Sequence, residues 1–175
     1  MIGHLIWYDI DKDIGNNLQN EWRLWIMNLE FWILDGIQTL RTPAGDVLMP
    51  FITSFGNGGV IWIVLTVILL LIPKTRKTGL ILGAALILDG ILCNLLLKNL
   101  VRRIRPCDIN DAVRLLIPYP SDYSFPSGHT AVSFAAVSAL YFAGEKYLWK
   151  AALVLAVFIA FSRMYLYVHY PTDIL

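Results

Sequence analysis

Charge is unevenly distributed along the chain. No charged residue occurs between Asp46 and Lys74, and the densest apolar part of that interval is "VIWIVLTVILLLIP" (60–73). Together with "LMPFITSFGNGG" before it, which supplies a Gly-rich bend, this predicts a first membrane span. "PKTRKT" follows as a tight basic loop. "GLILGAALILDGILCNLLL" (79–97) is the second predicted span, long enough to cross a hydrocarbon core of about 30 Å. A polar segment (98–124) precedes a third predicted span from about 126 to 144. "EKYLWK" turns the chain, and a fourth span runs from about 147 to 168. A Pro-Thr-Asp turn then starts a further element that stops at Leu175.

Residues 21–40 behave differently. Leu24, Ile26, Met27, Phe31, Leu34, Ile37 and Leu40 recur at roughly helical spacing, but Arg23, Glu30 and Asp35 would be costly at a bilayer centre. This predicts an amphipathic helix lying in the membrane interface with its tryptophans at headgroup level, a poor transmembrane span being the alternative. The expected fold is all-α: a polytopic membrane helix bundle with an interfacial N-terminal helix, about four complete spans and a truncated last one. No repeat or linker divides the chain, so residues 1–175 are read as one domain, with 1–45 its interfacial N-terminal region.

Composition supports a membrane protein. The chain is 57% hydrophobic and 15% charged, where soluble domains hold about 45–50% apolar and about 25% charged residues. A net charge of +1 leaves no basic face for nucleic acid. Two cysteines make no disulfide framework, and Cys93, inside an apolar run, reads as packing. No cleavable signal peptide is expected, because Asp9, Asp11 and Asp13 stand where its apolar core should be.

Alternating spans place alternating loops on opposite sides. "PKTRKT" and "GEKYLWK" share one side. The segment 98–124, the "PSGH" turn (126–129) and the "VHYPTD" end share the other, gathering Lys98, Arg102, Arg103, Arg105, His129, Arg163, His169 and Asp173 at one mouth. The positive-inside rule is nearly balanced, with Lys74, Arg76, Lys77, Lys146 and Lys150 opposing a similar number of basic residues. If the second set serves a site, the first set orients the protein and the site faces away from the cytoplasm. The N-terminal 46 residues, with only Lys12, Arg23 and Arg41 as basic residues, agree.

The mouth carries chemistry. If the second helix continues, Lys98 and Arg105 stand two turns apart on one face with Arg102 between them, until Pro106 ends it. Alone, that pattern also suits basic residues snorkelling to lipid headgroups. Arg163 is harder to explain that way. About 13 residues of helix, roughly 20 Å, separate it from Lys150, so it should lie below the far interface and face a polar cavity. His169 and Asp173 are placed so that a carboxylate can fix the imidazole tautomer and free Nε2 as a nucleophile. His129 follows Pro126-Ser127-Gly128 at a helix start, where first-turn amides and Ser127 can cradle an anion. Cations, amide donors and two histidines together suit a phosphate ester: the cations neutralise spreading charge, His169 attacks phosphorus and His129 protonates the leaving oxygen. No metal is implied, since carboxylates are few and no His/Cys ligand pattern occurs. "SFGNGG" lacks the Lys of a nucleotide-binding loop.

"KNLVRRIRP" (98–106), "PSGH" (126–129) and "SRMYLYVHYPTD" (162–173) resemble the tripartite signature of the type 2 phosphatidic acid phosphatases, membrane relatives of the vanadium haloperoxidases. Every fixed position is filled across 98–173. The resemblance implies a helical membrane phosphatase that needs no cofactor or metal, with an outward-facing site in the plasma membrane. Its substrates would be lipid phosphates such as undecaprenyl diphosphate, phosphatidylglycerophosphate or phosphatidic acid. It implies that Lys98, Arg105, Ser127, Gly128 and Arg163 bind phosphate, that His129 is the acid, His169 the nucleophile and Asp173 its orienter. Family members continue past the final Asp into another helix, so the resemblance implies a truncated C-terminus here. Asp89 lies outside the signature and reads as a packed polar contact or a protonated carboxyl. The rival reading is a non-catalytic protein that binds anionic lipid through the same cations, which would gain nothing from His169 and Asp173. A vanadate-based use of the pocket is disfavoured by the membrane spans. Oligomeric state is not encoded in any of these features.

Overall fold

The helix that opens the described structure turns one carboxylate, Glu30, inward. The structure is a computed structural model that describes residues 17–174, so the aspartates near the N-terminus lie outside the described residues. Helix α1 (Asn17–Thr39) buries Glu30, Leu34 and Ile37, while Trp22, Trp25 and Trp32 face outward. Its Gln38 side chain donates to the Tyr165 carbonyl at 3.0 Å. Outward tryptophans incur no penalty against lipid or headgroups, whereas polar side chains there need protein partners. Leu34 and Ile37 of the predicted apolar stripe face the bundle, but Leu24, Ile26 and Leu40 do not.

Thr42 caps α2 (Pro43–Ser54), its hydroxyl accepting from Gly45 N–H at 3.0 Å, and Pro43 sits at the first helical position, where its missing N–H costs nothing. Tyr165, at the end of α8 (Leu148–Tyr165), donates its hydroxyl to Asp46 at 2.8 Å and accepts from Thr42 N–H at 3.2 Å. A Cβ on Gly45 would lie 2.5 Å from that hydroxyl, so glycine allows the close approach of α2 to α8. The predicted Gly-rich bend is present: a 3₁₀ turn at Asn57–Gly59, with Gly58 and Gly59 at φ of 57° and 67°, separates α2 from α3 (Val60–Leu71). Glycine adopts those left-handed angles without strain.

The core forms where α3, α4 (Arg76–Asp89), α7 (Gly128–Phe142) and α8 meet, around Trp62, Leu82, Ala136, Leu140, Ala156 and Ile159. Small residues on α7 and α8 let these helices approach closely, as membrane helices do. The outer faces of α3, α4 and α8 expose Ile63, Val67, Leu80, Ile87, Val154 and Phe158. Among the described residues, Pro73–Ile109 and Leu148–Tyr165 are long and apolar enough to cross a membrane, and α2 with α3 makes a third if that pair, bent by 43°, is one span. The third span expected from sequence is α7, whose 15 residues fall short of that length because it starts at the mouth rather than outside it.

One local expectation is overturned. After α4 the chain runs through a π-helical stretch (Gly90–Leu97) into α5 (Lys98–Val101), and the helix stops at Arg102, which takes left-handed angles (φ 50°). Lys98 and Arg105 therefore do not share a helix face, and Pro106 starts a helix rather than ending one. Arg105 is extended, as a residue preceding proline prefers, and Pro106 opens α6 (Pro106–Ile109), with Asp108 accepting from Arg105 N–H at 3.2 Å.

Candidate active site

Breaking the helix at Arg102 turns Arg105 back toward Lys98, and both buried cations close on one carboxylate. Lys98 Nζ donates to Asp122 Oδ2, Arg105 Nη2 to Asp122 Oδ1 at 2.5 Å, and Arg105 Nε to the Asp122 carbonyl at 2.8 Å. Further bonds from Arg105 reach the Val168 carbonyl at 2.6 Å and the Tyr123 carbonyl at 3.3 Å. Arg105 is 2% exposed and Lys98 8%, whereas the Asp122 side chain is half exposed. Burial alone would raise the pKa of Asp122, but the bond from Lys98 and the two positive charges win and hold it at about 2. Two buried positive groups thus converge on an oxyanion that sits at the edge of solvent.

His169 lies on the other side of Arg105, with Nη1 3.0 Å from Nε2. A guanidinium can only donate, so Nε2 accepts: it holds the lone pair, and the ring proton is on Nδ1. Nδ1 points at Asp173 Oδ2 across 3.5 Å, the outer edge of a hydrogen bond, and has no closer partner. Asp173 is itself anchored by Ser124 Oγ at 2.5 Å, Tyr170 N–H at 2.8 Å and Arg103 Nη1 at 2.7 Å. Burial drives the His169 pKa down to about 4, outweighing the opposing pull of Asp173. For Asp173, burial pushes upward but is outweighed by its bonds to His169 and Ser124 and by the charge of Arg103. At neutral pH the pair is a neutral imidazole beside a carboxylate.

Arg163, in the last turn of α8, is 4% exposed; Nη1 donates to Thr53 Oγ1 at 2.9 Å, and Nε is buried without a partner. Arg163 is thus buried among protein groups near the end of α8. His129 is the second residue of α7, and its Nε2 lies 2.8 Å from the Asn57 side-chain oxygen, which places the proton on Nε2. Its carbonyl accepts from Ser133 Oγ at 2.7 Å, and Ser133 accepts from Trp62 Nε1 at 3.1 Å, tying His129 to the core. Arg163, His169, Lys98 and Arg105 all lie within electrostatic reach of it. The expected cradle is partly taken: Ser127 N–H donates to the Asp173 carbonyl at 3.0 Å and Ser127 Oγ accepts from Thr130, so helix amides open to an anion begin at Gly128.

Lys98, Asp122, Gly128 and His129 border a cavity of about 310 Å³ whose apolar wall includes Ile63, Leu86 and Val132. Asp89, set outside the site on sequence grounds, borders the same cavity, as does Asn94. Sequence reasoning missed Asp122, Ser124, Asn57 and Thr53. The one signal for Asp122 was an acid in a non-periodic stretch facing a cluster of cations. Gly56 backs the His129 ring: an added Cβ would stand 2.7 Å from Cδ2. Gly56→Ala is expected to push the imidazole aside and cut phosphate release roughly 10- to 100-fold with little change in melting temperature; steady-state kinetics with a melting curve checks this.

Residues 78–175 match the family model of the PAP2 superfamily. The chain is 32% identical over 148 residues to an undecaprenyl-diphosphatase of Sulfolobus acidocaldarius, covering 85% of this chain and 70% of the relative. The crystal structure of Aquifex aeolicus LpxE superposes with a TM-score of 0.71 at 31% identity, covering 83% of this chain and 86% of that one. The transmembrane PAP2-type phosphatidylglycerolphosphate phosphatase of Bacillus subtilis gives 0.64 at 27% identity, covering 85% and 77%.

Proposed function

The chain belongs to the PAP2 superfamily, and from that premise we propose that it is an integral membrane phosphatase that hydrolyses lipid phosphate or diphosphate esters through a phosphohistidine. The observation that carries this reading is the pairing of buried Lys98 and Arg105 with a single oxyanion, the Asp122 carboxylate, while the same Arg105 guanidinium meets Nε2 of the His169–Asp173 pair; the Asp122 oxygens stand where we propose that phosphate oxygens bind.

In the proposed reaction the substrate phosphate displaces Asp122 and is gripped by Lys98, Arg105 and Arg163, with the Gly128 amide and Ser127 completing the cradle. Arg163 Nε, buried and unpartnered, is available to it. His169 Nε2 forms the P–N bond as the P–O bond to the lipid breaks; His129, which enters this step as the imidazolium with the bound phosphate as its counter-charge, gives its Nε2 proton to the departing oxygen and becomes a neutral imidazole. Asp173 steadies the positive charge that develops on His169. His129, now neutral at Nε2, takes a proton from water, whose oxygen attacks phosphorus, breaks the P–N bond and releases phosphate. The cations offset the charge spread over the equatorial oxygens.

Each step draws on the chain's own residues, so we propose that the reaction runs without a metal ion. The basic residues Lys74, Arg76, Lys77, Lys146 and Lys150 on the opposite side support a plasma-membrane protein whose site faces away from the cytoplasm. We read residues 1–175 as a single phosphatase domain with its catalytic signature at 98–173. Phosphate release by the full chain in detergent, from undecaprenyl diphosphate, phosphatidylglycerophosphate and phosphatidic acid, with and without chelator, tests the reading. Turnover of at least one lipid, unchanged by EDTA, is expected. Activity that disappears with EDTA overturns the metal-free mechanism, and no turnover of any of them overturns the proposed substrate class.

A further inference from the structure

The N-terminal helix reaches Asp173, the carboxylate beside His169, through one guanidinium. Glu30, 2% exposed on α1, accepts from Arg103 Nη2 and from Thr172 Oγ1, and lies 3.4 Å from Thr172 N. The other arm of the same guanidinium, Nη1, donates to Asp173 Oδ1 and Thr172 Oγ1, both at 2.7 Å. The guanidinium plane is fixed from below by the Tyr170 ring, 3.9 Å from Cζ, and Phe31 of α1 packs edge-on against that ring at 5.5 Å. One cation is therefore shared between two buried carboxylates, one on α1 and one that orients His169. Glu30 lies outside residues 78–175, the part that matches the family model.

We propose that Glu30 is a positioning residue for the reaction: by drawing on one side of Arg103 it limits how strongly that guanidinium holds Asp173, and so keeps the Asp173 carboxylate directed at His169. This rests on the reading of His169 as nucleophile. The physical reason is charge sharing. A cation between two carboxylates divides its attraction, and in a buried, weakly screened setting the division is steep. Without the Glu30 charge, Arg103 pairs with Asp173 alone, draws its oxygens toward Nη1 and stretches a His169–Asp173 contact already 3.5 Å long. The imidazole then loses basicity and its phosphorylated form loses its counter-ion. The groups facing His169 are Asp173, Arg105, Arg163 and, farther off, His129; those facing Arg103 are Glu30, Asp173 and Tyr170. Of these only Glu30 comes from α1.

The test uses the full chain in detergent with phosphatidic acid, comparing wild type, E30Q, R103Q, the double variant and H169A. E30Q is expected to lower kcat roughly 10- to 100-fold with KM changed less than about twofold, and to move the acid limb of kcat/KM to lower pH. R103Q, which frees Asp173, should move that limb to higher pH. The double variant should match R103Q, because Glu30 acts on Asp173 only through Arg103. A bolt that merely holds α1 in place predicts no opposite shifts and a double variant that still carries the E30Q loss, and that outcome overturns the proposal, as does an E30Q protein with wild-type kcat and pH profile. If E30Q does not fold, R103Q decides, because an unmoved limb overturns the proposal by itself. Activity surviving in H169A sinks the nucleophile reading; a dead H169A beside an unaffected E30Q sinks only the role of Glu30.

Discussion

Replacing His169 by alanine is expected to lower phosphate release by about 10⁴-fold or more, the scale seen when the nucleophile of a catalytic unit is removed. Nε2, unprotonated and 3.0 Å from Arg105 Nη1, is the atom that forms the P–N bond in the proposed reaction. Water attacking directly would gain from the cations but would lose the in-line approach that the fold fixes. The variant should still fold, because Arg105 keeps its bonds to the Val168, Asp122 and Tyr123 carbonyls and Asp173 keeps Ser124, Tyr170 and Arg103. Acid-quenched protein labelled with radioactive phosphate should carry acid-labile label in wild type and none in H169A. Turnover within tenfold of wild type, with an unchanged melting curve, would exclude His169 as the attacking group.

The second large effect belongs to Arg105. Arg105→Ala should reduce kcat/KM by about 10³-fold or more, since it removes a preorganised charge from the place where negative charge spreads, and donors of that kind each account for 10²–10³. The informative variant is Arg105→Lys. It keeps the charge but has no rigid fork, and Arg105 uses all three nitrogens: Nε and Nη2 hold Asp122, while Nη1 spans the Val168 carbonyl and His169 Nε2. A lysine cannot meet those partners together. It should therefore recover little of the loss, with KM raised more than for a variant that alters chemistry alone. Full recovery by lysine would show that charge suffices and that the fork geometry is incidental. Melting curves separate this from simple destabilisation, because removing one partner of a buried pair leaves the other uncompensated.

Much of this arrangement was legible before the fold was known, and the division has a physical basis. Loop parity alone gathered Lys98, His129, Arg163, His169 and Asp173 at one mouth, because a membrane helix fixes which end of a span its neighbour joins. That Arg163 needs protein partners followed from its place near the end of a long apolar run, and its guanidinium meets Thr53. The path from Lys98 to Arg105 was not legible. A seven-residue spacing fits two helical turns as well as it fits a chain that leaves the helix at a left-handed Arg102 and doubles back. Asp122 was equally hidden, since in the irregular segment between α6 and α7 no period says which side chain turns toward the cations. Glu30 was hidden for a related reason: the sequence marks it as a cost at a bilayer centre, but no period shows that its side chain meets Arg103.

The bend between α2 and α3 carries a consequence for the second half of the reaction. Non-helical backbone within the thickness of a bilayer persists where it can be hydrated rather than where it meets hydrocarbon, and the Gly56–Gly59 turn borders the cavity beside His129. On the proposed mechanism this interruption would give water a polar route, past Asp89, Asn94 and Lys98 on the cavity wall, to the ring that accepts its proton. Dephosphorylation of the enzyme would draw its reactant through this breach in the helix, while the hydrocarbon of the departing lipid stays among its own kind.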